Sequence, residues 1–185
     1  MKDSSKVIPA VQMLLEAIEG EPLRPQLLET PNRVMRALEE MLDGYNVEID
    51  SLFKTFDDEG QDQIVVVKNI QTYSVCEHHL LPFLIQASVA YLPIDKVIGT
   101  SKIERLVLAF SHRLQLQERI TNQVANTLMD KLQPQGVAVV IEGKHLCMRA
   151  RGVKSKDSKV VTSVMLGEFR ENPVLRQEFL SLVNK

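Results

Sequence analysis

Cysteine is scarce in this sequence: 185 residues carry two thiols, Cys76 and Cys147. That count excludes a disulfide framework as the source of stability. Also missing is any apolar run long enough to cross a bilayer or to resemble a secretory signal. The expectation is a cytoplasmic protein without membrane contact, its thiols reduced and free for ligation, nucleophilic chemistry or core packing. Charge of one sign is lacking too. Lys and Arg number 22 against 24 Asp and Glu, a net charge of -2, which offers no basic face for nucleic acid and no acidic tail. Phosphate binding would need a local cluster of cations. Repeats, low-complexity tracts and obvious linkers are absent.

What is present is ordinary globular material, 44% hydrophobic and 25% charged, long enough for one well-buried core and too short for two large domains. The expectation is a single domain over 1–185, with an N-terminal helical segment at 1–48 and a core at 60–185. Val7, Val11, Leu14, Leu15 and Ile18 recur at helical spacing until Gly20 and Pro22 stop them. Thr30-Pro31 opens a second helix, with Thr30 as N-cap, that runs to about Gly44. Residues 64–67 with Ile70, and residues 83–91, read as strands. Ser101-Lys102-Ile103-Glu104 has the pattern of a capping box ahead of another helix. A helix over 118–132, a strand over 137–141, a strand near 160–165 and a helix from about Pro173 to Val183 complete the order ααββααββα. This is an α+β chain.

The two thiols keep unusual company. Cys76-Glu77-His78-His79 connects the first two strands, and His145-Leu146-Cys147 follows the third. Cys76 and His79 are spaced so that a tight turn could aim both at one ion, with Cys147 as a third ligand. Two thiolates and one imidazole suit zinc, and three protein ligands leave a fourth position open, as in catalytic rather than structural sites. His78 and His145 would then be spare imidazoles able to move protons near neutral pH.

A second group concerns anions. Gly99-Thr100-Ser101-Lys102 brings a glycine, two hydroxyls and a lysine to a helix N-terminus, a setting that favours phosphate. Arg105 lies one turn on, Arg33 and Arg36 share a face of the second helix, and Arg149 and Arg151 follow Cys147. Singly these are solvated charges; they would surround a polyphosphate only if the fold or an oligomer gathers them.

Seven blocks in order carry a whole-chain resemblance. They are Thr30-Pro31-Asn32-Arg33-Val34, 76–83, 89–93, 97–103, 115–121, 136–140, and His145-Leu146-Cys147-Met148 with Arg151-Gly152-Val153 behind it. In these the chain resembles the GTP cyclohydrolase I family. The resemblance implies one zinc per subunit on Cys76, His79 and Cys147, and proton-moving roles for His78 and His145. It assigns guanine recognition to Gln117 and Glu118, and contacts with ribose and triphosphate to Ser101, Lys102, Arg105 and Arg151. Arg33 and Arg36 are weaker matches, and Ser101 also matches a residue that helps the ribose rearrangement. The implied reaction hydrolyses C8 out of GTP as formate and recloses the ring as 7,8-dihydroneopterin triphosphate, the first step of pteridine (tetrahydrofolate or biopterin) synthesis. The implied fold is the tunnelling fold, an antiparallel sheet with helices on one side, joined between subunits into a barrel and assembled as a homodecamer of two pentameric rings. Partners beyond GTP, such as a regulatory protein, are not indicated.

One block departs from the family. Ile85 and Gln86 stand where most members have Gly followed by Lys or Arg, which bears on local packing and on any effector contact there. Two other readings stay open on the same residues. One is a family member with altered output, stopping at the ring-opened formamidopyrimidine or preferring dGTP. The other is a non-catalytic zinc-binding scaffold, against which the presence of His78, His145 and Glu118 speaks.

Overall fold

The computed structural model describes residues 3–57 and 60–184. Met1 and Lys2, which open the expected N-terminal segment, lie outside the described residues, as do residues 58–59 and Lys185 within the expected core and its approach. The elements are α1 (Val7–Glu19), α2 (Thr30–Met41), β1 (Thr55–Asp57), β2 (Val65–Cys76), β3 (Pro82–Leu92), β4 (Lys96–Ile98), α3 (Thr100–Ser111), β5 (Leu114–Gln115) and α4 (Gln117–Leu132). They continue with β6 (Gly136–His145), α5 (Leu146–Arg149), β7 (Val160–Gly167), α6 (Glu168–Glu171) and α7 (Pro173–Val183). The α+β expectation holds, and the helix bounds at Gly20 and Pro173 fall where the breakers placed them.

Two helix starts differ from expectation. Glu29, not Thr30, occupies the N-cap of α2, and Gly99, not Ser101, that of α3, neither with a side-chain cap. Each helix begins earlier than its hydroxyl signal because the preceding backbone already turns, as when Lys102 N–H donates to Gly99 O at 2.8 Å. Helix α2 also stops at Met41, and a 3₁₀ turn over Asp43–Asn46 takes the chain past Gly44. Gly44 is required there, since a Cβ would lie 2.7 Å from the His112 carbonyl oxygen.

The main sheet has the order β5-β2-β3-β6-β7, antiparallel except for the short parallel β5–β2 pair; β1 and β4 form a separate two-stranded ribbon. Strands β2 and β6 run beyond their apolar stretches because Lys68, Asn69 and Gln71 interrupt the first and Glu142 and Lys144 the second. Helices α3 and α4 cover one face through Ile103, Leu106, Val107, Ile120, Val124 and Leu128, all fully buried against Phe83, Ile85, Val89, Val139 and Ile141. Each such side chain contributes roughly 1.5–3 kcal/mol by leaving water. This is the subunit arrangement expected of a tunnelling fold. At one end, α6 and α7 add a smaller pack on the opposite face, where Phe169 and Phe179 meet Ala90, Leu92 and Ala138.

Strand β2 carries a bulge between Val67 and Ile70, with Asn69 in the left-handed region at φ 61°. The exchanged pair settles here. Ile85 is buried in the core at 3% exposure, opposite Gly143 of β6, and the Gln86 amide donates to Asn69 Oδ1 at 2.6 Å across the bulge.

Candidate active site

Strand register brings the two thiols together. Strand β2 ends at Cys76, a turn over 77–81 leads into β3, and Phe83 pairs with His145 at the end of β6. The next residues, α5, therefore lie beside that turn. The turn closes through Cys76 N–H to Leu81 O and Leu80 N–H to Cys76 O, both 2.9 Å. Leu80 takes the left-handed conformation at φ 54°, which costs a residue with a Cβ about 1–2 kcal/mol. A bidentate pair holds the turn in place, the Arg119 guanidinium of α4 donating to both Glu77 oxygens, one at 2.9 Å. That guanidinium keeps the Glu77 carboxyl below the usual carboxylate range.

Cys76, His79 and Cys147 present ligand atoms that all lie within 4.8 Å of one another. Cys76 is buried, Cys147 half-buried and His79 exposed. His79 turns Nδ1 toward Cys76 Sγ at 3.7 Å, while its Nε2 faces the Arg151 guanidinium at 3.2 Å. The donor set fits a divalent cation. Burial, followed by the charge of neighbouring Cys76, raises the Cys147 pKa, so two thiolates here need a cation between them. Zinc suits two sulfurs and one imidazole nitrogen.

His145 stacks on Phe83 with ring centroids 4.3 Å apart and planes 8° from parallel. Its Nε2 lies 2.9 Å from Gln117 Oε1, and burial lowers its pKa, opposed by the negative charge of Glu118. Gln117 is itself buried at 1% exposure, whereas Glu118, the next residue of α4, is exposed. His78 is exposed, edge-on to His79 with centroids 6.2 Å apart.

A family model described as GTP cyclohydrolase I matches residues 7–184. The chain belongs to the GTP cyclohydrolase I family. Its relatives include GTP cyclohydrolase 1 of Caldanaerobacter subterraneus subsp. tengcongensis, 48% identical over all of this chain and 98% of the relative. GTP cyclohydrolase 1 of Thermoanaerobacter pseudethanolicus is 46% identical over the same shares, 100% and 98%. A fainter likeness in shape is to the archaeosine synthase QueF-Like in the apo form, with TM-score 0.48 and 17% identity over 60% of this chain and 97% of that one.

Within this member of the GTP cyclohydrolase I family, the expected site residues fall into two groups. Cys76, His79, Cys147, Arg151, His78, His145, Gln117 and Glu118 gather around one end of β2, β3 and β6. Ser101 and Lys102 do not join them. They lie in the first turn of α3, just after β4, where Ile98 N–H donates to the Tyr91 hydroxyl, and Tyr91 pairs with Val65 at the opposite end of the sheet. The eight residue steps from Phe83 to Tyr91 span roughly 26 Å of strand. Arg105 lies farther along α3, lining a cavity with Asp43 and His112. Arg33 and Arg36 are exposed on α2. Sequence reading missed Glu77, Arg119, Phe83 and Gly143, whose parts depend on partners 42 or more residues away, or on the strand register.

Proposed function

We propose that this chain, acting as one domain over 1–185, catalyses the zinc-dependent conversion of GTP and water to 7,8-dihydroneopterin triphosphate and formate. The observation that carries the reading is the joint one: membership of the GTP cyclohydrolase I family, together with a Cys-His-Cys group beside a braced imidazole. Cys76, His79 and Cys147 would hold one zinc ion per subunit. When bound, zinc supplies the Lewis acidity that makes water nucleophilic near neutral pH. The exposed Glu118 carboxylate accepts from the N1–H and exocyclic amine of guanine. His145 and His78 move protons to and from the imidazole-ring nitrogens of the purine as C8 is hydrolysed away. Arg151 meets the triphosphate from the thiol end.

Ser101, Lys102 and Arg105 bind ribose and triphosphate from a neighbouring subunit, Ser101 also assisting the rearrangement, with Arg33 and Arg36 as outlying cations. The distance of Ser101 and Lys102 from the thiols along the sheet supports a site completed at a subunit boundary. So do Leu84 at 59% and Val161 at 63% exposure on the uncovered sheet face. A homodecamer of two pentameric rings is the assembly we propose. Two reduced thiols poised for metal suit the cytoplasm, and the product feeds pteridine synthesis. Among the described residues no helix is long and apolar enough to cross a membrane.

Incubation of zinc-loaded protein with GTP should release formate and dihydroneopterin triphosphate; a ring-opened formamidopyrimidine as end product, or turnover of dGTP alone, would replace this reading. The shared site has its own test. At GTP concentrations well below saturation, mixed oligomers of Lys102→Ala and His145→Ala subunits should turn over GTP faster than the average of the two variants measured separately, and mixtures that only match that average would place the whole site in one subunit.

A further inference from the structure

We infer that Gln117 is a positioning residue that fixes the orientation and tautomer of His145, and that the guanine edge is read without its side chain. The inference rests on the proposed reaction and assigns this residue a different task from the one the family resemblance implies.

The hydrogen bonds leave little choice. Gln117 Nε2 lies 2.9 Å from the Ile141 carbonyl oxygen, 3.0 Å from that of Val160 and 3.1 Å from Thr162 Oγ1. Backbone carbonyls only accept, so the amide cannot be turned over, and both of its hydrogens are committed to β6 and β7. Its oxygen must then face His145 Nε2 at 2.9 Å. An amide oxygen also only accepts, so Nε2 carries a hydrogen. Thr121 completes the frame, bonding to the Gln117 carbonyl oxygen at 2.8 Å and to Thr162 Oγ1 at 2.7 Å.

Space is arranged to the same end. A Cβ on Gly143 would overlap Gln117 Oε1, lie 2.9 Å from its Cδ and 3.1 Å from His145 Nε2. The glycine therefore makes the room in which the two side chains meet. Phe83 closes the far side of the ring by stacking. With 1% of its surface exposed, no hydrogen unspent and its oxygen turned to His145, the Gln117 side chain has no donor to offer a purine, whereas Glu118 beside it is exposed. One consequence concerns His145: Nδ1 is the nitrogen through which a proton passes, because traffic at Nε2 would break the Gln117 contact.

The test is a double-mutant cycle on the zinc-loaded enzyme, reading zinc content, the GTP dissociation constant, KM and kcat for Gln117→Leu, His145→Ala and the double variant. Gln117→Leu should keep its zinc and its GTP affinity while kcat falls about 10- to 100-fold, inside the range general acid–base catalysis supplies. In the His145→Ala background the same change should cost almost nothing further. Weakened GTP binding with kcat retained would show guanine reading instead, and losses that multiply in the double variant would show a merely structural role. Either outcome overturns the inference. Should Gln117→Leu fail to fold, Gly143→Ala displaces the amide while leaving every functional group present, and the same loss of kcat at unchanged affinity is expected; an unaffected kcat in that folded variant also overturns it. A parent enzyme that releases no formate from GTP would sink the reaction itself, whereas a working parent with multiplying losses sinks only the positioning.

Discussion

The two ends of the β2–β3 hairpin are built to different standards. At the thiol end three polar side chains are held by partners: Glu77 by Arg119, His79 between Cys76 and Arg151, His145 between Phe83 and Gln117. At the other end Ser101 and Arg105 are exposed and Lys102 is half-buried. Metal ligation and proton transfer demand placement to fractions of an ångström, so one subunit's fold must supply it. Long-range attraction to a triphosphate tolerates looser geometry, which is why the assembly we propose can leave that part to a neighbouring subunit.

The sharpest way to break this contrast is Cys147→Ser, which should abolish metal retention and turnover together; full zinc by metal analysis in that variant would undo the ligand assignment. Next comes the division between histidines. His145→Ala should keep zinc and GTP binding but lose about 10²- to 10⁴-fold in product formation, whereas His79→Ala should lose the metal and every later step. Glu118→Gln presents a donor to the donors of guanine and should weaken GTP binding by roughly 1–3 kcal/mol, as seen by calorimetry. Lys102→Ala probes the loose end: GTP binding should weaken about tenfold or less, with a reduced salt dependence, and zinc content unmoved. Loss of zinc there would mean the two ends are not independent.

The smallest effect concerns Glu77. Its folded pKa is depressed by Arg119, so the pair contributes stability that is present above the usual carboxylate range and is lost as pH falls through the folded value. Glu77→Gln should therefore flatten the fall of Tm on acidification, only slightly because the pair is exposed. An unchanged slope would show that Arg119 does not brace the turn through charge.

Helix periodicity and breakers made most of the helices legible, and α7 was readable to the residue because Asn172 caps it ahead of Pro173, accepting from the Val174 and Leu175 N–H groups. The metal-capable trio was legible from residue type and spacing. Less so were the helix starts at Glu29 and Gly99, where local backbone geometry overrides the hydroxyl signal. The reach of β2 down to Cys76 was hidden because its solvent-facing residues interrupt the apolar run. Gln117 shows the deepest limit. Its place in the motif could be read, but its burial against β6 and β7 depends on pairing between residues 24 to 45 positions apart.

The bulge in β2 decides on which side of the sheet the metal would sit. Side chains alternate along a strand, and ahead of the bulge the odd-numbered Val65 and Val67 pack with the α3–α4 core while Ile64 and Val66 pack on the opposite side. Beyond it the parity inverts: Ile70 and Cys76 belong to that core instead. The inserted residue acts as a half-step phase shift that turns the last thiol of the strand toward His145 and Cys147. Deleting Asn69 would leave Cys76-Glu77-His78-His79 intact as a string of letters, yet the thiol would emerge on the wrong side. The motif is thus necessary for the site, and the count of residues seven positions upstream is what makes it one.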